Sequence, residues 1–139
     1  MQQSAEKAMT NFHSCKLLAA LMMAGALGTL CRYLTMKLAG TFCSEILPWG
    51  TIAVNLGGAF LGGLILLLVH QRFQEFAPFL PVLTVGFLGG FTTFSSFAME
   101  NAVLLQQGAF LRFSINALLQ NLGGIAAVFA GMGCARLLL

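Results

Sequence analysis

From Thr51 to Val69 the chain carries no charged side chain, and only His70, Gln71 and Arg72 close the run. That length matches the roughly 20 apolar residues that carry a helix across a bilayer core. Three further runs resemble it. Lys16–Leu38 is interrupted by Arg32 and Lys37, Val82–Leu105 holds the single acid Glu100, and Phe113–Ala135 is uncharged and closed by Arg136. None shows the apolar/polar alternation of barrel strands, so all four predict helices. Together they use most of the 139 residues, which leaves any chemistry inside the bilayer or at its faces. Charged residues make up 8% of the chain, and Asp is absent. Soluble domains carry about 25%. A water-facing surface cannot be built from seven Lys/Arg and four Glu, which excludes an ordinary cytosolic enzyme, a nucleic-acid binder and a disordered chain.

The expected organisation is a polar leader over residues 1–15 and a single four-helix transmembrane domain over 16–139. A signal peptide is the rival reading of the first run, but that run continues through Arg32 and Tyr33 to Leu38 without a clean small-residue cleavage site. Gly40–Gly50, Gln71–Pro81 and Gln106–Arg112 are the expected loops. Pro48 suits a helix start, and Trp49 suits the interfacial aromatic belt. Lys7, Lys16, Arg72 and Arg136 fall on one face, with Lys37 and Arg112 on the other. This leans weakly towards termini inside, and so near a balance also permits insertion in both orientations. Four short helices enclose a pathway poorly, so an oligomer is expected.

Cys15, Cys31, Cys43 and Cys134 lack C-x-x-C spacing, and His13 and His70 stand alone, so a zinc site is not indicated. Nor is a Ser–His–Asp/Glu, Cys–His or HExxH arrangement spaced for catalysis. The informative residues are polar groups within the spans, because such groups are costly in a bilayer and mark function by default. Asn55 shares a helix face with Gly58 and Gly62, a GxxxG pair suited to close helix approach. It serves either a pathway or interhelical bonding. In the third span, Gly86–Phe97 reads GFLGGFTTFSSF. Adjacent glycines followed by adjacent threonines predict a mid-membrane break. The freed backbone groups then need partners inside protein or beside a polar cavity. The other reading is a glycine-lined packing groove with Ser/Thr bonded back to the helix. Phe94 and Phe97 share a face, and aromatic edges are electropositive; Ser96 adds a hydroxyl. On the fourth span Asn116, Gln120 and Gly124 recur every four residues as one polar stripe. Arg32 and Glu100 are the embedded charges.

The blocks GTLCRY at 28–33, GTIAVNLGGAFLGG at 50–63 and GFLGGFTTFSSF at 86–97 resemble the Fluc (CrcB-type) fluoride channel family, and the match extends from about residue 17 to the end. The resemblance implies an all-α membrane protein, broken in its third helix. It also implies an antiparallel, dual-topology homodimer in the bacterial inner membrane, with two fluoride pores. By motif position Asn55, Phe94 and Phe97 would line the fluoride path, continued by Ser96 and, on the fourth helix, by Asn116 and Gln120. Arg32 would lie at the vestibule. A structural sodium ion would sit at the dimer interface on the backbone carbonyls of Gly89 and Thr92. The chain departs from the family on the fourth helix, where amides stand in place of the usual Tyr and Ser. Glu100 matches an acidic position without an assigned role.

Two other readings compete. A small multidrug-resistance-like proton-coupled exporter shares the four-helix, dual-topology design but needs a well-embedded carboxylate, and the first span has Arg32 and no Glu. A non-transporting membrane assembly subunit explains the GxxxG pair but not the Gly-Gly-x-Thr-Thr sequence.

Overall fold

The computed structural model describes the backbone of residues 2–43 and 46–139, and the side chains of residues 15–43 and 46–139. Among these residues four helical segments are long and apolar enough to cross a membrane: Cys15–Phe42, Trp49–Gln71, Val82–Gln106 and Phe110–Leu137. The chain is a multi-pass membrane protein, and all its spans are helical.

Helix α1 (Gln2–Phe42) overruns both expected ends. The backbone of the expected leader continues the helix, and its side chains up to residue 14 lie outside the described residues. At the other end Thr41 bonds its hydroxyl back to the Lys37 carbonyl at 3.1 Å, so Gly40 alone does not stop the helix. The first loop is correspondingly shorter than the expected Gly40–Gly50. Pro48 caps α2 (Trp49–Gln71) with φ −77°, the value its ring imposes. The expected second loop contains a 3₁₀-helix, Gln74–Phe79.

The third span is broken, as the glycines and threonines predict, and it is irregular before the break as well. Pro81, which has no N–H to give, precedes a π-helical stretch, Val82–Leu88. One further turn, α3 (Gly89–Phe91), follows. The backbone then opens to extended geometry at Thr92 (ψ 162°) and Thr93 (φ −152°), and α4 (Phe94–Gln106) begins. Gly108, with φ +69°, makes the turn into α5 (Phe110–Leu137), a conformation that a side chain would strain.

Helix α2 is the hub. It packs most extensively on α5, and it also meets α1 and the third span. The GxxxG pair does not make the α2–α5 seam. A Cβ on Gly58 would run into the Thr92 methyl, and one on Gly62 would touch Leu88, so this pair receives the third span. The seam is made by Gly63, whose missing Cβ faces the Val128 carbonyl, and Gly131, which faces the Phe60 carbonyl. On the other side Gly28 admits the Phe87 carbonyl, and Gly90 admits the Gly25 carbonyl.

Backbone lies against backbone at the α2–α5 seam, so a side chain there forces the helices apart. Gly131→Val is expected to cost about 3 kcal/mol or more, read as a lower thermal midpoint and loss of monodisperse protein in detergent. Gly133→Ala, at a position where a Cβ meets nothing within 4 Å, should leave both unchanged.

The outer faces carry exposed Met22, Leu27, Val85, Leu118 and Phe129, which suits contact with acyl chains. The interior is notably polar. Beside Ile52, Val54, Val69, Leu88 and Ala135 are buried Thr51, Thr93, Asn101, Asn116 and Gln120.

Candidate functional site

The break frees the Thr93 N–H, and Asn55 takes it up while also bonding the Thr93 carbonyl. Its Oδ1 accepts from the Thr93 N–H at 2.8 Å, and its Nδ2 donates to the Thr93 carbonyl at 3.0 Å. The first of these bonds replaces the one the Thr93 N–H would make in a continuous helix, and the second adds to the carbonyl that heads α4. Asn55 therefore supports the break, a role that neither a pathway nor helix–helix adhesion describes in full.

The amide of Asn55 also begins a relay. Its Nδ2 donates to Gln120 Oε1 at 2.6 Å, Gln120 Nε2 donates to Asn116 Oδ1 at 2.8 Å, and Asn116 Nδ2 donates to Asn101 Oδ1 at 2.9 Å. Three helices are joined by a single directed line of side-chain amides. Such a network offsets the desolvation of each member because each is bonded to the next. The expected stripe of Asn116 and Gln120 is thus present and buried. Asn101 is not among the expected residues, although a signal exists: it follows Phe94 and Phe97 at helical spacings of seven and four, on the same face of α4.

Thr93 caps α4. Its Oγ1 accepts from the Ser96 N–H at 3.2 Å and lies 3.1 Å from the Ser96 hydroxyl, to which it donates. Ser96 is therefore engaged in holding the break. The capped N-terminus of α4 borders a cavity of about 250 Å³ lined by Asn55, Thr93, Phe94, Phe97, Gln120 and Gly124 among others. The rings of Phe94 and Phe97 are 5.6 Å apart and inclined by 47°. Phe94 is 77% exposed, so it is no part of the hydrophobic core of this chain. Among the described residues no charged side chain lines the cavity. Its polarity comes from amides, the threonine at the cap and the positive end of α4.

Gly89 opens α3 and Thr92 follows its last residue. The amide that a continuous helix would offer to the Gly89 carbonyl, that of Thr93, goes to Asn55 instead. The amide that would serve the Thr92 carbonyl, that of Ser96, goes to Thr93 Oγ1. Arg32 donates to the Thr92 carbonyl at 3.1 Å, reaching from α1 to the break. An Arg32–Glu100 pairing is not formed. Glu100 instead accepts from the Thr51 hydroxyl, and both residues border a second cavity of about 240 Å³ with Met36, Cys43 and Trp49. Among the described residues no cluster of His, Cys, Asp or Glu is arranged to hold a metal ion.

Fold and site together define a multi-pass membrane protein with a polar, charge-free pocket at the break of a transmembrane helix. The chain belongs to the CrcB-like family: the family described as "CrcB-like protein, Camphor Resistance (CrcB)" matches residues 19–132. Among its relatives is a protein of Photobacterium profundum named "Fluoride-specific ion channel FluC", 37% identical over 115 residues, which are 83% of this chain and 91% of the relative. Proteins of the same name in Legionella pneumophila (strain Lens) and Vibrio cholerae serotype O1 are 38% identical over 120 residues and 36% over 118. These alignments cover 86% and 85% of this chain, and 90% and 94% of the relatives.

Proposed function

We propose that this chain forms a fluoride-selective channel through which fluoride leaves the cell passively across the bacterial inner membrane. The observation that carries the reading is the charge-free cavity of Asn55, Phe94, Phe97 and Gln120 at the capped end of α4, in a chain whose relatives bear the fluoride-channel name. Fluoride holds its water tightly, and bare transfer into an apolar medium is prohibitive. Amide N–H groups, hydroxyls and ring edges replace that water with many weak donors. A fixed lysine or arginine on the path would bind the ion too firmly to release it. The relay from Asn55 through Gln120 and Asn116 to Asn101 extends the donor set across α5 to α4, and Ser96 adds a hydroxyl beside Thr93 at the break. No covalent step is involved. The membrane potential, negative inside, drives the anion outward.

The functional unit in this proposal is an antiparallel, dual-topology homodimer with two pores. Gly89 and Phe94 are exposed on the single chain although they flank a helix break, and broken backbone at membrane depth is tolerated only within protein or beside a polar cavity. A second copy supplies that cover. A sodium ion fits between the copies, since the Gly89 and Thr92 carbonyls lack their usual helical donors and oxygen ligands suit a hard cation. Bound there, it would supply positive charge that fastens the subunits. Arg32, already on the Thr92 carbonyl, would hold that carbonyl in place from the α1 side and set positive charge at the vestibule.

The test is efflux from proteoliposomes loaded with potassium fluoride, with valinomycin added and a fluoride electrode outside. Fast fluoride loss with negligible chloride loss in a parallel run is expected. Absence of fluoride loss from protein shown to be inserted and dimeric would overturn the proposal.

A further inference from the structure

The 3₁₀-helix Gln74–Phe79 joins α2 to the third span. Three residues per turn bring positions i, i+3 and i+6 into line. Phe73, which caps this helix, Phe76 and Phe79 hold those positions. Their rings are 41%, 51% and 58% exposed, and Phe73 meets Phe76 edge to face at 6.3 Å. Gln74 and Glu75 stand off this row, and Gln74 Nε2 bonds back to the His70 carbonyl at 3.2 Å. The segment therefore sorts its residues into an aromatic side and a polar side.

Connectivity says what lies beside the aromatic side. One span ends at Gln71 and the next begins at Val82, so both ends of the segment are held at the same membrane boundary. Phe79 also borders a cavity with Lys16, Leu17 and Ala20 of α1, and Leu17 is itself exposed. The end of the row thus lies beside the first span at the same membrane boundary. Left in water, each half-exposed ring would forgo the remaining part of its apolar burial.

We infer that Phe73, Phe76 and Phe79 form an interfacial anchor that inserts into the headgroup–acyl boundary of the phospholipid bilayer and sets the depth of α2 and the third span. Arg72 and Glu75 remain at headgroup level. The partner is lipid, and the inference does not depend on which ion the protein conducts.

Trp49 is the only tryptophan of the chain, so the double variant Trp49→Phe/Phe76→Trp reports from the loop alone. It is reconstituted in phosphatidylcholine vesicles brominated high or low on the acyl chain. Blue-shifted emission is expected, with roughly twofold or greater quenching by bromines near the headgroup end and less by deep ones, the depth of an interfacial helix. Red-shifted emission quenched by iodide but not by bromolipid would place the loop in water and overturn the inference. Blue-shifted emission insensitive to both would mean that protein covers the rings, which also overturns it. Phe79→Trp in the same background repeats the measurement should the first variant fail to insert.

Discussion

Asn55→Leu is expected to abolish fluoride efflux, and Asn55→Asp to abolish it with a smaller loss of stability. In the structure the Asn55 amide does three things at once. It clasps the Thr93 N–H and carbonyl, starts the relay at Gln120 and borders the cavity. Leucine removes all three and leaves the Thr93 N–H and the Gln120 oxygen without partners. Each orphaned buried group costs about 1–3 kcal/mol. The same loss in a conduction barrier slows passage about tenfold for every 1.4 kcal/mol. Aspartate separates the roles. It keeps an oxygen for the Thr93 N–H, so that half of the clasp survives, but it has no donor for the Thr93 carbonyl, for Gln120 or for an anion. Thermal stability and initial efflux rate, measured on both variants, check this. Efflux retained in Asn55→Leu together with weakened dimerisation would make the side chain a structural clasp and remove it from the pathway.

Phe94→Ile and Phe97→Ile should each reduce efflux by about tenfold or more with the dimer preserved. Isoleucine keeps an apolar side chain but lacks the electropositive ring edge. Phe94 is 77% exposed on the single chain, so its replacement removes little packing there. The two rings contact one another, so the double variant is expected to fall short of the product of the single effects. Fluoride electrode traces normalised to inserted protein, with size-exclusion profiles for the dimer, decide the matter. Unchanged rates would remove both rings from the mechanism.

In the proposed channel the fourth helix contributes a relay of amides to the pathway. Asn116 and Gln120 are buried and bonded to one another, not presented as free donors. An anion moving along them has to exchange with bonds already made. Amides suit that task, because each carries both donor and acceptor and can rebond to its neighbour when the ion has passed.

Much of this was readable along the chain. The spans follow from long apolar runs with few charges, a property of consecutive residues, and all four appear close to their expected positions. The break was readable because Gly89, Gly90, Thr92 and Thr93 weaken helix locally. Asn55, Asn116 and Gln120 stood out because an amide in an apolar run has no local partner. Helix ends were less legible. Gly40 does not stop α1, and the expected loop at Gln71–Pro81 contains a short helix, because a neighbouring helix or lipid face can sustain a turn that propensity leaves undecided.

Partners were beyond the reach of sequence. Asn55 and Thr93 are 38 positions apart, and Asn55 and Gln120 are 65 apart; no periodicity within either helix says which faces meet. The GxxxG pair at Gly58 and Gly62 was visible, but Gly63 and Gly131 make the α2–α5 seam. Membrane insertion depends on the summed hydropathy of a segment, so sequence alone settled how many helices cross and where one of them fails. Which amide meets which backbone group depends on the rotation and depth of each helix against the others. That is set by backbone contacts at glycines far apart in the chain, and only the assembled bundle decides it.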